Sequence, residues 1–189
     1  MENISINSKN NGAGANADAT QSVDTTRDLE HLARLIKDID VAMLTTKDGS
    51  GNMRARPMGT LNGSGFDGTL YFFTDAGSPK VNEIESDHQV NLTYSDRKSQ
   101  HYVSVTGQAR VTRDEKKIRE LWNPIMKAWF PKGLDDPSLA LLEVEVSEAE
   151  YWDSPNSTVV QLVGFAKALL TGERYKAGKD GHVKVHVPH

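Results

Sequence analysis

Residues 71–80 read YFFTDAGSPK, and they predict a strand that turns directly into a helix. The aromatic run ends at Thr74, and after a short turn Ser78 and Pro79 are the residue types favoured as helix N-cap and first helical residue. The first turn of a helix presents free N–H groups and a partial positive charge, and Lys80 adds a full charge at the same place. The stretch therefore predicts a cradle for a phosphate group beside an aromatic wall.

Short strands separated by turn-rich segments surround this stretch. Apolar runs and alternating patterns predict six strands, at 41–46, 53–61, 69–74, 89–94, 102–111 and 139–152. Helical spacing predicts helices at 29–39, after Ser78, at 113–121 and at 159–170. Most connections are short turns, which favours an antiparallel barrel over an alternating parallel α/β sheet. The predicted fold class is mainly β, an antiparallel barrel with peripheral helices.

The chain of 189 residues is expected to hold one domain with a tail at each end. Residues 1–24 are rich in small and polar types, and they offer few apolar side chains to offset the entropy of ordering, so they are predicted to be disordered. The domain is predicted to span residues 25–171. Residues 172–189 are polar and basic, and a loosely ordered tail is expected there.

Composition narrows the possible function classes. A net charge of −4 and a pI of about 5.9 argue against nucleic acid or an anionic membrane as the main partner. The absence of cysteine excludes disulfides, thiolate catalysis and cysteine-based zinc sites. No apolar run approaches the roughly 20 residues of a membrane span, and no secretory signal is recognised, so a cytoplasmic location is expected.

The second predicted strand carries two arginines on one face. Arg54 and Arg56 are two residues apart, and Pro57 indicates an edge or a bulge. Two interpretations stay open at this point. The strand is either a solvated basic surface or a rigid support for an arginine that binds an anion.

Motifs for metal binding and nucleophilic catalysis are absent from the sequence. His182 and His186 are four residues apart, but they lie in the polar tail, where exposed histidines are the favoured interpretation. The Gly-Ser-Gly segments at 49–51 and 63–65 lie in predicted hairpin loops and form no nucleophile elbow. No metal site and no catalytic residue is therefore predicted.

Four aromatic residues allow more than one interpretation. They fill either a core, a subunit interface or the wall of a planar cofactor site, and they are Trp122, Trp129, Phe130 and Trp152.

Four motifs together resemble a known family. Arg56-Pro57-Met58, Phe72-Phe73-Thr74, Ser78-Pro79-Lys80 and Glu150-Tyr151-Trp152 follow one another as in the pyridoxamine 5′-phosphate oxidase-like flavin-binding split barrels, and most closely as in the bacterial general stress protein branch. The resemblance covers residues 26–170. It implies a six-stranded antiparallel split barrel that forms a homodimer and binds FMN at the dimer interface.

The resemblance also implies which residues contact the cofactor. The arginine on the second strand matches Arg56, which is flanked by Pro57 and Met58, and the aromatic-threonine pair at the end of the next strand matches Phe73 and Thr74. These five residues are the first half of the implied FMN site.

The remaining implied site residues follow along the chain. Ser78 and Lys80 hold the phosphate, although proline replaces the arginine between them, which implies a weaker grip and tolerance of FAD or riboflavin. Tyr102 takes the place of a glutamine that touches the ring, and Trp152 matches a tryptophan beside the cofactor. Trp129 is a further candidate for the ring environment.

The substrate element of the oxidases is not preserved. Its Arg-x-His positions correspond to Thr158 and Val160, which lack the charge that a phosphate-bearing substrate requires. Efficient oxidation of pyridoxamine phosphate is therefore not expected. The leading hypothesis is a general stress flavoprotein that acts as a flavin reductase or as another oxidoreductase on an unknown small molecule. A non-enzymatic flavin carrier or sensor is the alternative, and a branch of the barrel that uses a deazaflavin or haem is a third.

Overall fold

The computed structural model describes residues 29–61, 66–153 and 179–184. Within them, residues 29–36 form helix α1, Pro79–Ser86 form α2 and Glu115–Leu121 form α3. The strands are β1 Val41–Lys47, β2 Met53–Gly59, β3 Thr69–Asp75, β4 Gln89–Asp96, β5 His101–Thr112, β6 Leu139–Asp153 and β7 Lys179–Lys184. Two 3-10 helices, Pro124–Ala128 and Gly133–Asp135, follow α3. None of the described helices is long and apolar enough to cross a membrane.

Several sequence-based predictions fall outside these residues. The boundary near residue 25, the boundary near residue 171 and the helix at 159–170 lie in segments that the structure does not describe. Thr158 and Val160 lie there as well. The division into a domain and two tails stays a prediction.

The strands form one antiparallel sheet in the order β2-β1-β4-β5-β6-β3. The two end strands, β2 and β3, contact each other, and just beyond β2 the Leu61 N–H donates to the Tyr71 carbonyl at 3.2 Å. The twist of the sheet therefore brings its ends together, which leaves little exposed edge. The prediction of a mainly β antiparallel barrel with peripheral helices is confirmed.

A seventh strand corrects the predicted strand number. β7 pairs antiparallel with β6, from Glu148 opposite Lys184 to Asp153 opposite Lys179, within the segment expected to be loosely ordered. Its sequence, KDGHVK, has no alternating apolar pattern, because Val183 is its one apolar residue. The strand forms because β6 offers its backbone for pairing and because Val183 is buried in the core.

Two hydrophobic clusters support the sheet. Alternation along β3 sends Phe72 into the main cluster and Phe73 toward a smaller one. The main cluster joins one face of α1 to the inward residues of the strands, among them Leu32, Ile36, Leu44, Leu92, Val103, Val105 and Val144. The smaller cluster packs Ile118 of α3 and Phe130 against Leu139 and Leu141 of β6. The aromatic strand therefore lies between two packed layers.

A bulge shifts the pairing of β5 and β6 between Thr106 and Gly107. The partner backbone approaches Gly107 closely there. A Cβ atom at this position would overlap the Glu145 carbonyl oxygen and would lie 3.0 Å from Val144 Cγ1. Since the carbonyl belongs to the backbone of the central strand β6, it cannot move aside by a change of rotamer.

Gly107→Ala is expected to lower the free energy of unfolding by about 2 kcal/mol, because overpacking against a fixed backbone strains the sheet. Urea denaturation followed by circular dichroism measures this loss. Gly59→Ala in β2 is the matched control, since its added Cβ meets nothing within 4 Å. Equal stability of the two variants would contradict the packing argument at the bulge.

Candidate functional site

The strand-turn-helix predicted from residues 71–80 is present. β3 ends at Asp75, Ser78 is the extended N-cap residue of α2, and Pro79 is its first residue. The Ser78 hydroxyl does not cap the helix, since it donates to the Asp75 carbonyl at 2.7 Å and accepts from Lys80 Nζ at 2.9 Å. No side chain among the described residues therefore caps the N–H groups at the start of α2.

Arg56 is held beside this helix by two neighbours. Its Nη1 donates to Thr46 Oγ1 at 2.5 Å, and its Nη2 donates to Glu83 Oε2 at 2.6 Å. The Thr46 hydroxyl in turn donates to the same Glu83 oxygen at 2.5 Å. Thr46 and Glu83 are buried, while 22% of the Arg56 side chain is exposed. This closed triangle joins β1, β2 and α2, and it fixes the direction of the guanidinium.

Sequence reasoning missed both partners of Arg56. Thr46 follows Ala42 and Leu44 at the inward positions of β1, and a threonine in such a pattern is a signal for a buried polar partner. Glu83 gives no comparable signal, because an acid near the middle of a short helix is most often solvated. Only the packing of α2 against the strands buries it.

The second arginine of β2 has a different environment. Arg54 Nε donates to Asp48 Oδ2 at 2.9 Å and lies 3.9 Å from Glu83 Oε1. Asp48 also accepts backbone N–H groups from Ser50 and Asn52 in the β1–β2 turn. The Asn52 N–H and the Arg54 guanidinium are the main causes that lower the pKa of Asp48 to about 2. Arg54 is therefore part of an exposed turn network, whereas Arg56 is the rigidly supported arginine.

The Arg56 guanidinium is close enough to Lys80 to disfavour the positive charge of the Lys80 ammonium. Burial is the main cause that lowers the pKa of Lys80, and the Arg56 guanidinium lowers it further, while Asp75 and Glu83 act in the opposite direction. Glu83 is ionised at neutral pH, because the Thr46 hydroxyl and then the Arg56 guanidinium lower its pKa against the effect of burial. The start of α2 thus holds two cations that an additional anion would stabilise.

Of the four other residues predicted on β2 and β3, Met58 and Thr74 are buried, Phe73 is partly buried and Pro57 is exposed. Met58 lies in the main hydrophobic cluster, so its side chain does not face an open surface. Thr74 is also buried, and its hydroxyl lies 3.5 Å from the Asp75 carbonyl. Phe73 packs in the smaller cluster, with its ring centroid 5.7 Å from that of Trp122. Pro57 is opposite Met43 in the β1–β2 ladder.

The other predicted aromatic residues lie elsewhere on the sheet. Tyr102 and Trp152 are directly opposite each other on β5 and β6, and they are 41% and 46% exposed. Trp129 follows the first 3-10 helix and is 69% exposed. β1 and β4 lie between β2 and β5, a distance of about 14 Å at the usual strand spacing. The structure therefore brings Arg56, Ser78 and Lys80 together around Glu83, and places the Tyr102–Trp152 pair on a separate part of the sheet.

Glu83→Gln is expected to lower the free energy of unfolding at pH 7 by about 3 kcal/mol, because it leaves partly buried cations uncompensated. The contribution of Glu83 is fully present above its ordinary pKa of 4.5 and is lost as the pH falls through the lowered pKa of the folded state. The variant should therefore lose less stability than the wild type on acidification below pH 4.5.

Urea denaturation at several pH values between 3 and 7 measures this difference. Glu85→Gln, an exposed position on the same helix, controls for the loss of one carboxylate. Stability curves for Glu83→Gln and the wild type that run parallel over this range would show that the buried pair contributes no pH dependence.

Comparisons with known proteins agree with this architecture. A solved structure from Xanthomonas citri, described as a general stress FMN/FAD binding protein, is 28% identical, with a TM-score of 0.61 over 70% of this chain and 93% of that chain. Protein bli-3 of Neurospora crassa is 28% identical over 143 residues, which are 70% of this chain and 68% of that protein. General stress protein 26 of Bacillus subtilis is 28% identical over 97 residues, which are 50% of this chain and 69% of that protein.

The match to a protein family covers most of the chain. The family model described as pyridoxamine 5′-phosphate oxidase like matches residues 27–176. This range includes β1 to β6, the three helices and all ten predicted site residues. The resemblance inferred from the four sequence motifs is confirmed, and the protein is a split barrel related to general stress protein 26. The chain belongs to the pyridoxamine 5′-phosphate oxidase-like family.

Proposed function

We propose that the protein binds FMN non-covalently, with the phosphate held by Arg56, Lys80 and the start of α2. The observation that carries the proposal is the placement of two cations beside each other at a helix N-terminus that no described side chain caps. One of the two positive charges is balanced by Glu83, and a phosphate supplies negative charge for the other. The FMN/FAD binding protein from Xanthomonas citri supports a flavin as the ligand.

Of the other predicted residues, some are proposed to contact the ligand and some to support the site by packing. Ser78 adds a hydroxyl beside Lys80, and Thr74 adds contacts at the end of β3. Pro57, Met58 and Phe73 support the floor of the site through packing, since Met58 and Phe73 belong to the two hydrophobic clusters. When bound, the flavin supplies redox chemistry, and the protein supplies orientation and electrostatics.

In a homodimer, the exposed aromatic residues of one subunit can lie beside the phosphate cradle of the other. Tyr102, Trp152 and Trp129 are large, exposed aromatic side chains, which are typical of ligand walls and protein interfaces. Because β1 and β4 lie between β2 and Tyr102, and Trp152 lies beyond the part of β6 that pairs with β3, we propose that each Tyr102–Trp152 pair completes the flavin site of the partner subunit. FAD and riboflavin are proposed as further ligands, since Pro79 removes one cation from the phosphate contacts.

We propose that the bound flavin serves a cytoplasmic oxidoreductase, such as a flavin reductase, whose small-molecule substrate differs from pyridoxamine phosphate. Thr158 and Val160 stand where the oxidases place their substrate-binding arginine and histidine. The same observation favours the second candidate, a non-enzymatic flavin carrier or sensor. Nucleic acid and membranes are not proposed as partners, because the net charge is −4.

The absorption spectrum of the purified protein, with and without added FMN, tests cofactor binding. Flavin bands with quenched fluorescence are expected, whereas haem or deazaflavin bands would indicate another branch of the barrel. Reduction of the bound flavin by NADH or NADPH, with transfer to an acceptor, distinguishes an oxidoreductase from a carrier. A colourless protein that leaves FMN fluorescence unchanged would refute flavin binding.

Lys80→Ala should weaken FMN binding about tenfold or more, since a charge-assisted hydrogen bond contributes roughly 1.5–3 kcal/mol. Riboflavin, which lacks the phosphate, should be affected much less. Fluorescence titration of both ligands measures the two affinities, and Lys116→Ala on the exposed face of α3 is the control. An equal loss for both ligands would show that the cradle is wrongly assigned.

Alkaline pH should reduce the preference for FMN over riboflavin. Burial and Arg56 lower the pKa of Lys80, so its ammonium loses a proton below the ordinary value of 10.5. Bound phosphate favours the charged ammonium of Lys80, and FMN affinity therefore falls as the pH rises through the pKa of Lys80 in the free protein.

The measurement is the ratio of FMN to riboflavin affinity from pH 7 to 11. Because both ligands have the same ring, titration of the ring affects both affinities equally and does not change the ratio. The ratio should stay flat in Lys80→Ala, and an equal decline in that variant would assign the effect to another group.

A further inference from the structure

The proposed phosphate cradle contains an acid as well as two cations. Glu83 lies on α2 one turn after Lys80, and its Oε2 accepts from Arg56 Nη2 at 2.6 Å. Since Glu83 is ionised, it cancels one of the two charges that face the ligand. Arg54 adds little to the balance, because Asp48 neutralises it at 2.9 Å. Asp75 also acts on Lys80, but its side chain is exposed and its charge is screened by solvent. The less exposed charges of the cradle, those of Arg56, Lys80 and Glu83, therefore sum to about +1.

We infer that Glu83 is a specificity-determining residue that sets the charge preference of the phosphate cradle. With Glu83 in place, the cradle favours a doubly charged phosphomonoester only weakly over a singly charged phosphate, such as its monoanion or the phosphodiester beside the ribityl chain of a dinucleotide. Without the Glu83 charge, the same cradle would favour a doubly charged phosphomonoester. The inference rests on the proposed flavin-binding function and deepens it.

The geometry keeps the Glu83 charge at the site. Thr46 donates to Glu83 Oε2 at 2.5 Å, and the carboxylate is buried between α2 and the strands. A solvated acid could turn away when an anionic ligand arrives, but this one is held by hydrogen bonds from two elements of the sheet. Glu83 thus acts on every ligand that reaches Arg56, through a charge that the fold holds in place.

None of the charged groups around Glu83 is of a type that ordinarily changes its charge near neutral pH, so the phosphate of the ligand is the group that titrates there. Arg54 and Arg56 face Glu83 from β2, Thr46 faces it from β1, and Lys80 faces it from its own helix. Asp75 acts on Lys80 from the end of β3. None of these is a histidine, the side chain whose charge ordinarily changes between pH 5 and 8. A phosphomonoester, in contrast, gains its second charge at about pH 6.

The test compares FMN with riboflavin from pH 5 to 7 by fluorescence titration of the whole 189-residue chain. The affinity ratio isolates the phosphate, since the ring is common to both ligands. In the wild type, the second phosphate charge interacts with a net cradle charge of about +1, and in Glu83→Gln with a charge of about +2. The change in the logarithm of the FMN-to-riboflavin affinity ratio between pH 5 and 7 should therefore be twice as large in Glu83→Gln. We expect the ratio to rise about threefold in the wild type and about tenfold in Glu83→Gln.

Glu85→Gln is the matched control, because it removes a carboxylate from the exposed face of the same helix. Its profile should follow that of the wild type. FAD gives an independent comparison at pH 7, where Glu83→Gln should shift the preference toward FMN over FAD by about threefold relative to the wild type.

The outcomes separate this inference from the function on which it rests. Absence of flavin binding by the wild type would overturn the proposed function and this inference with it. Flavin binding with parallel profiles in the wild type and Glu83→Gln would overturn only the role of Glu83. Should Glu83→Gln not fold, the wild type decides alone, since a tenfold rise in its ratio between pH 5 and 7 would contradict a cradle of single net charge.

Discussion

The buried carboxylate of Glu83 imposes a constraint that organises one end of the barrel. A buried charge is tolerated only when it is paired and hydrogen-bonded, and Arg56 and Thr46 meet both requirements. Because these three residues belong to α2, β2 and β1, satisfying one carboxylate fixes the position of the helix against two strands. The start of α2, and with it Lys80, is then placed beside Arg56.

This arrangement links stability to the proposed binding function. The ion pair holds the guanidinium still, so little side-chain entropy remains to be lost when an anion binds. The same pair also lowers the net charge that the anion meets. A site of this kind combines a preorganised arginine with a moderate net positive charge. This combination suits the proposed binding of more than one flavin.

Much of the fold was predictable because its signals are local. Alternation along β3 places Phe72 and Phe73 in different clusters, and the Ser78-Pro79 pair marks the start of α2, as the sequence indicates. β7 was not predictable, since its six residues include one apolar side chain and its pairing depends on the free edge of β6. The closeness of the Gly107 backbone to Glu145 is also a property of the paired strands.

Sequence alone determined the antiparallel barrel, because periodicity, turn residues and helix caps act over short distances along the chain. The order of four motifs indicated the family, and the residue types at 71–80 suggested the proposed phosphate cradle. The three-dimensional packing decided which arginine is rigid, that Met58 and Thr74 are buried, and that Glu83 pairs with Arg56. These features depend on contacts between β1, β2 and α2, whose residues lie 10 to 37 positions apart in the chain. An ion pair between residues so far apart in the chain produces no periodic pattern in the sequence. It forms only when the strands and α2 pack together.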